Sequence, residues 1–198
     1  MYVQVIKISD NVVDDLKEAV RKVAPRMSVN LLNEEDQRRV FGMLIRKGKT
    51  DVFTHSHCTI EIHCSECAAN ELLAQNVILT KQDHAFSDEL TYIFPKEISD
   101  DSRARKDFLA LLEQSTKLHK SFSRKFGEGY DARYVLPGAI ETKLIISADF
   151  LSWLKILKLE RYSRTSEELK EVCGMIYDEL HERCNTIFNK TNLKMKIQ

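Results

Sequence analysis

The chain predicts an α+β fold, a central mixed sheet flanked by helices, with long helices in the C-terminal half. Three observations carry that prediction. Short β-branched runs fall in the first third of the chain, apolar residues recur at spacings of three and four from residue 102 onward, and capping residues stand where those helical runs begin.

Residues 1–9 put Val3 and Val5 on one face and Ile6 and Ile8 on the other, predicting an opening strand covered on both sides. A short amphipathic helix over 12–23 follows. Asn33 caps "EEDQRRVFGMLIRKG", a helix with acids in its first turn, bases in its last and Gly48 just past its end. Residues 52–63 read as a strand that alternates from Cys58, and Ser65 caps a helix running to about residue 77. Residues 80–101, with Pro95, are the least regular. A helix spans 102–126, ending before Gly127 and Gly129, and two more cover about 148–159 and 166–188. The last carries Leu169, Val172, Cys173, Ile176, Tyr177, Leu180, Cys184 and Ile187 as an apolar stripe, with Thr165 and Glu168 spaced as a capping box.

Composition narrows the function classes. At 198 residues and 43% hydrophobic side chains, residues 1–198 suit one domain with its own core. Thirty basic and thirty acidic residues cancel, so the uniform positive field that non-specific DNA or anionic membrane binding needs is missing. No apolar run reaches the roughly 18 to 20 residues of a membrane span, and MYVQVIKISD is too charged for a signal peptide. A cytoplasmic protein with reduced thiols is expected from these features and its five cysteines.

The stretch "HSHCTIEIHC", followed by "SEC", raises the question of zinc. In a strand, Cys58, Ile60, Ile62 and Cys64 share one face, and His57, Thr59, Glu61 and His63 the other. Cysteine packs there as a small hydrophobe. A structural zinc site needs four convergent ligands, and Cys64 with Cys67 has no second pair, because Cys173 and Cys184 belong to the helical stripe. The core-strand reading is favoured and no metal is expected.

The same stretch resembles a different pattern. "VFTHSHCTIEI" is similar to the strand of the flavin-dependent thymidylate synthases, matching it at Phe53, His55, Thr59 and Ile62, with Thr54 and Ile60 departing. The helix before it resembles the family's, although the family's His-x-Ser reads Lys49, Thr50, Asp51. "ARYVLPGAIET" holds the Ala-Arg-x-x-Leu-Pro and following threonine at Ala132, Arg133, Leu136, Pro137 and Thr142. "ADFLSWLKILKLE" resembles the helix ending in Leu-x-Leu-Arg. The four motifs are collinear over essentially the whole chain.

The resemblance implies a homotetramer that binds FAD between subunits and methylates a pyrimidine deoxynucleotide of the dUMP type with methylenetetrahydrofolate and NADPH. It also marks departures. Ala74, Gln75 and Asn76 stand where the family's Arg-His-Arg belongs, and Glu160 where its pyrimidine-contacting arginine belongs. The family's His-Ala-Gln reads Arg164, Thr165, Ser166, and its asparagine appears as Asp149 or Lys155. A nucleotide phosphate is normally held by guanidinium forks, which alanine, glutamine and asparagine cannot supply. The matching positions make His55 and Arg133 the candidate cofactor contacts, against the slightly favoured alternative of a strand-end hydrogen bond for His55 and a structural ion pair for Arg133, and Arg161 or Arg164 the substitutes for the substrate arginine. Tyr130 is a weaker companion to Arg133. Lys47, Lys49, Arg103, Arg105, Lys106 and Arg164 are candidates for a relocated phosphate site, against the alternative of a solvated helix face. Two readings follow, a divergent flavin-dependent nucleotide-modifying enzyme or a catalytically inactive paralogue serving as a structural or regulatory oligomer partner.

Overall fold

Alternation of buried with more exposed side chains along His57–Ser65 and Glu141–Asp149 builds the centre of the sheet. In the computed structural model, which describes residues 1–28, 33–75, 77–82, 90–126 and 132–195, the chain opens with β1 (Tyr2–Ile8), α1 (Val12–Val23), α2 (Pro25–Ser28) and α3 (Glu34–Arg46). A 3-10 turn (Asp51–His55), β2 (His57–Ser65), α4 (Glu66–Leu73) and β3 (Ile78–Lys81) follow. Next come α5 (Lys96–Asp100), α6 (Ser102–Phe126), a 3-10 turn (Ala132–Val135) and β4 (Glu141–Asp149). The chain continues with α7 (Phe150–Leu157), a 3-10 turn (Lys158–Arg161), α8 (Glu167–Cys184) and α9 (Lys190–Lys194). Asn76, Gly127, Gly129 and Tyr130 lie outside the described residues.

The strands lie in the order β1-β2-β4-β3, and each neighbouring pair is antiparallel. The α+β class with flanking helices is as the sequence predicts, but the pairing is antiparallel where a mixed sheet is expected. The reason is topological. β2 and β3, joined through α4, point the same way as a helical crossover dictates, yet β4 inserts between them and separates the parallel strands.

Buried pairs line the helix-facing side of the sheet. Cys58 faces Ala148, Ile60 faces Ile146, Ile62 faces Leu144 and Cys64 faces Thr142 across β2 and β4, all of them buried. Helices α4, α7 and α8 cover this face. Trp153 is fully buried beneath it and donates its indole N–H to the Cys58 carbonyl at 3.0 Å. Each fully buried aliphatic side chain contributes on the order of 1.5–3 kcal/mol.

Several local expectations meet a different structure. β1 is an edge strand with a bulge between Val5 and Lys7, so Ile6 is 52% exposed and the strand is not covered on both sides. Residues 51–55 form a 3-10 turn, and β2 starts only at His57. Helix α4 ends at Leu73, short of residue 77, and the stretch beyond it supplies β3. The helix expected from residue 148 begins at Phe150, because Ala148 and Asp149 end β4 and Asp149 caps α7 through the Ser152 N–H. Ser166, not Thr165, caps α8, and Glu168 leaves the expected capping box to serve elsewhere. The Asn33 and Ser65 caps, the left-handed Gly48 and the helix 102–126 are as expected. No helix among the described residues is long and apolar enough to cross a membrane.

Candidate functional site

The junction between β2 and α4 gathers the motif residues. Ser65 caps α4 by accepting the Ala68 N–H, while its own N–H and Oγ–H donate to the two Glu168 carboxylate oxygens, each at 2.6 Å. Glu168 thereby clamps the first turn of α4 from α8. Onto that turn docks the segment after the second 3-10 turn, with the Glu66 N–H donating to the Ile140 carbonyl at 2.9 Å and the Cys67 N–H to the Gly138 carbonyl at 3.0 Å. Gly138 is needed for this approach, since a Cβ there would lie 2.4 Å from Cys67 Sγ. On the other side the Ser115 hydroxyl of α6 donates to the Val135 carbonyl, and the Leu136 N–H donates to the Arg133 carbonyl at 2.9 Å.

These contacts shape a cleft of about 230 Å³ lined by Glu66, Lys81, Gln82, Arg133, Leu136 and Pro137, with Ile140 at its base. Lys81 enters from the end of β3, held in register opposite Leu144, and its ammonium pairs with Glu66 Oε1. Glu66 Oε2 is buried without a hydrogen-bond partner among the described residues. Arg133 and Lys81 thus line the cleft together with the Glu66 carboxylate and the apolar wall of Leu136, Pro137 and Ile140. That arrangement is suited to an anionic group bearing hydrogen-bond donors. A flavin dinucleotide would demand more, because roughly 300–1,000 Å³ is typical of small-ligand pockets. The residues present fit one phosphate-sized anion and do not fit a whole flavin dinucleotide.

The other sequence candidates lie elsewhere. His55 is exposed at the end of its 3-10 turn, where the chain enters β2. Arg161 is exposed in a separate groove of about 390 Å³ between its own turn, α8 and α9, with Glu160, Tyr177, Asp178, Lys190 and Lys194. Glu160 thus shares the groove of the arginine meant to replace it. Arg164 is exposed in the turn that follows, and neither cleft includes it or His55. The structure brings none of these four residues together in either cleft. Lys81 is the residue that sequence reading misses; its signal is the alternation of "ILTK", hidden in a segment read as helix end and irregular chain.

The cysteines of β2 behave as core residues. Burial pushes the thiols of Cys58 and Cys64 up to about 12, which keeps both protonated in the core at neutral pH. Cys67 is exposed, and its thiol is also raised, by partial burial and by the carboxylates of Glu168, Glu66 and Glu71. Among the described residues no group of three or more His, Cys, Asp or Glu is arranged to hold a metal ion.

Comparison with known proteins bears on the same motifs. The flavin-dependent thymidylate synthase of Pyrococcus abyssi is 21% identical over 164 residues, covering 79% of this chain and 67% of that protein. That of Clostridium tetani is 22% identical over 177 residues, covering 79% and 71%, and that of Corynebacterium glutamicum is 23% identical over 164 residues, covering 73% and 66%. At this identity the functional side chains have to be argued one by one. The family model described as thymidylate synthase complementing protein matches residues 8–185, from the end of β1 to the end of α8, and the chain belongs to that family.

Proposed function

We propose that this chain is a divergent flavin-dependent thymidylate synthase-like protein whose single domain, residues 1–198, binds a pyrimidine deoxynucleotide of the dUMP type. The observation that carries the reading is the Arg133–Lys81 cleft, built on the family's own Ala-Arg-x-x-Leu-Pro turn. Arg133 and Lys81 hold the anionic phosphate of the nucleotide or of FAD, and Leu136 and Pro137 exclude water from one side. The cleft is too small for the whole cofactor, so the remaining contacts come from a neighbouring copy in a homotetramer. Flavin, when bound, supplies the hydride; methylenetetrahydrofolate and NADPH belong to the reaction only if the family's methylation is retained. If flavin binds, His55 would be the residue to contact it, and Arg161 or Arg164 would take over the substrate arginine's role. All five cysteines are free, which supports a reducing, cytoplasmic setting.

A second reading is favoured by one observation, that Glu160 shares the groove of Arg161. A carboxylate there repels an anionic nucleotide, as expected of a catalytically inactive paralogue acting as a structural or regulatory oligomer partner. Visible absorbance of the purified protein, with added FAD and with or without dUMP, separates the two. A perturbed flavin spectrum that is lost in Arg133→Ala, with an unchanged melting curve, supports the first reading. A folded oligomer that takes up no flavin under saturating conditions supports the second.

A further inference from the structure

A third cleft, outside the motif residues, has a different electrostatic character. It measures about 440 Å³ and lies between α3, the end of α8 and α9. Arg38, Arg39 and Arg46 line it from α3, with His181 and Asn185 from the end of α8, and no carboxylate is among its lining residues. The Arg133 and Arg161 clefts each contain at least one carboxylate.

The three guanidiniums are differently engaged. Arg38 donates to Glu34 and to Asn185 Oδ1, both at 3.1 Å, and Arg39 pairs with Asp36 at 2.6 Å. These ion pairs lie within one helix and are largely exposed, so an incoming anion displaces them at little cost. Arg46 makes no side-chain hydrogen bond or ion pair among the described residues. All three guanidiniums are exposed, and a planar fork that can exchange a weak surface partner for a bidentate one suits a phosphate.

Helical spacing explains the shape. Residues 39, 42 and 46 follow one another along one ridge of α3, and the middle position is Gly42. A Cβ at Gly42 would lie 2.9 Å from Asn192 Oδ1, so glycine keeps α9 close and leaves the floor between the two arginines bare. Asn192 is itself buried, its amide donating to the Ile187 carbonyl at 2.8 Å. His181 is fixed as well. Its Nδ1 donates to the Phe188 carbonyl at 2.6 Å and its ring stacks on Tyr177, so Nε2 accepts from a phosphate P–O–H in the neutral ring and donates to a phosphate oxygen only when the ring is protonated. The α-carbons of Arg39 and Arg46 stand about 10 Å apart along the helix, a span that two flexible side chains close around one phosphate or a diphosphate.

We infer that this cleft binds a small phosphate ester or diphosphate, held by Arg39 and Arg46 across the Gly42 floor, with His181 and Asn185 completing the contacts. The inference is independent of the flavin reading. Isothermal titration of the 198-residue chain with inorganic pyrophosphate at low salt tests it. Arg39→Gln/Arg46→Gln is expected to weaken binding roughly tenfold or more, each lost charge-assisted contact being of that order. Both residues are exposed, and an unchanged melting curve checks the fold. Arg46→Lys, which keeps the charge and loses the fork, is expected to fall between. Arg21→Gln, an exposed arginine of α1 outside this cleft, is expected to bind pyrophosphate as the unaltered chain does, and the titrations are repeated in Arg133→Ala so that the Arg133 cleft does not contribute. The inference is overturned by absent pyrophosphate binding at millimolar concentration, by unchanged affinity in the double variant, or by sulfate and chloride binding equally well. Binding of a single-stranded oligonucleotide without pyrophosphate binding also overturns it, since the site then serves a polymer.

Discussion

Gly138→Ala is expected to destabilise the protein through a single contact. A Cβ at residue 138 meets Cys67 Sγ at 2.4 Å, while the next atom, Cys67 Cβ, is at an ordinary 3.9 Å. Gly138 does not have a positive φ, so alanine adopts its backbone conformation without strain. The clash is thus confined to one sulfur, whose only escape is rotation about χ1 in the first turn of α4, where one of the three rotamers is disfavoured. Because that sulfur is the exposed end of a rotatable side chain, the cost stays below that of core overpacking, about 0.5–1.5 kcal/mol, or roughly 1–6 °C in Tm for a chain of this size. Cys67→Ala alone, at an exposed position, is expected to stay within about 0.5 kcal/mol of the parent. In the double variant the new methyl faces Cβ at van der Waals distance, and alanine's smaller unfolded-state entropy contributes about 0.4–1 kcal/mol of stability. The double variant is therefore expected to match or exceed Cys67→Ala. Urea denaturation of all four proteins gives the coupling energy. A Gly138→Ala protein as stable as the parent, or a double variant as unstable as Gly138→Ala, would refute the close approach of the Leu-Pro-Gly turn to α4.

Three further outcomes are expected. Stability should fall above pH 9. Burial raises the thiols of Cys58, Cys64 and Cys173 from 9.0 to about 12, so between those values the unfolded chain loses protons first. Each thiol then removes about 1.4 kcal/mol per pH unit. Lys158, lowered to about 8 by burial and by Arg161, runs the other way up to its ordinary 10.5 and offsets at most one thiol. Denaturant melts from pH 8 to 11 check this, and a slope unchanged in Cys58→Ala would contradict it. Glu160→Arg, restoring a guanidinium in the Arg161 groove, is expected to tighten dUMP binding about tenfold by equilibrium dialysis. No gain removes that groove from the nucleotide site. Trp153→Phe should lose about 1–3 kcal/mol, because it leaves a cavity and unpairs an indole contact inside the core. The parent's only tryptophan should emit as a buried indole that shifts red on unfolding, and an emission maximum already at the solvent-exposed position would contradict its burial.

What was legible in the sequence followed from rules of short range. Asn33, Ser65 and Gly48 announce helix ends because caps are satisfied by neighbours within four residues. The Cys58–Cys64 alternation identifies β2 because one buried face imposes period two. β4 obeys the same rule, with Thr142, Leu144, Ile146 and Ala148 buried, but Ile145 sits on the outer face at 43% exposure and blurs the alternation. The apolar run from Phe150 then invites a helix to extend backward over the end of the strand. Lys81 and Glu168 were missed for a related reason. Lys81 reaches its cleft only once β3 pairs with β4, and Glu168 meets Ser65 across 103 residues of chain. A spacing that reads as a capping box within α8 is the same spacing that aims Glu168 at α4. The sequence shows which groups are present, and the long-range pairing decides which partner each of them finds. The same holds for the arginines of α3. A charge-rich helix face reads as solvated surface until α9 closes over Gly42 and turns Arg39 and Arg46 into the rim of a cleft.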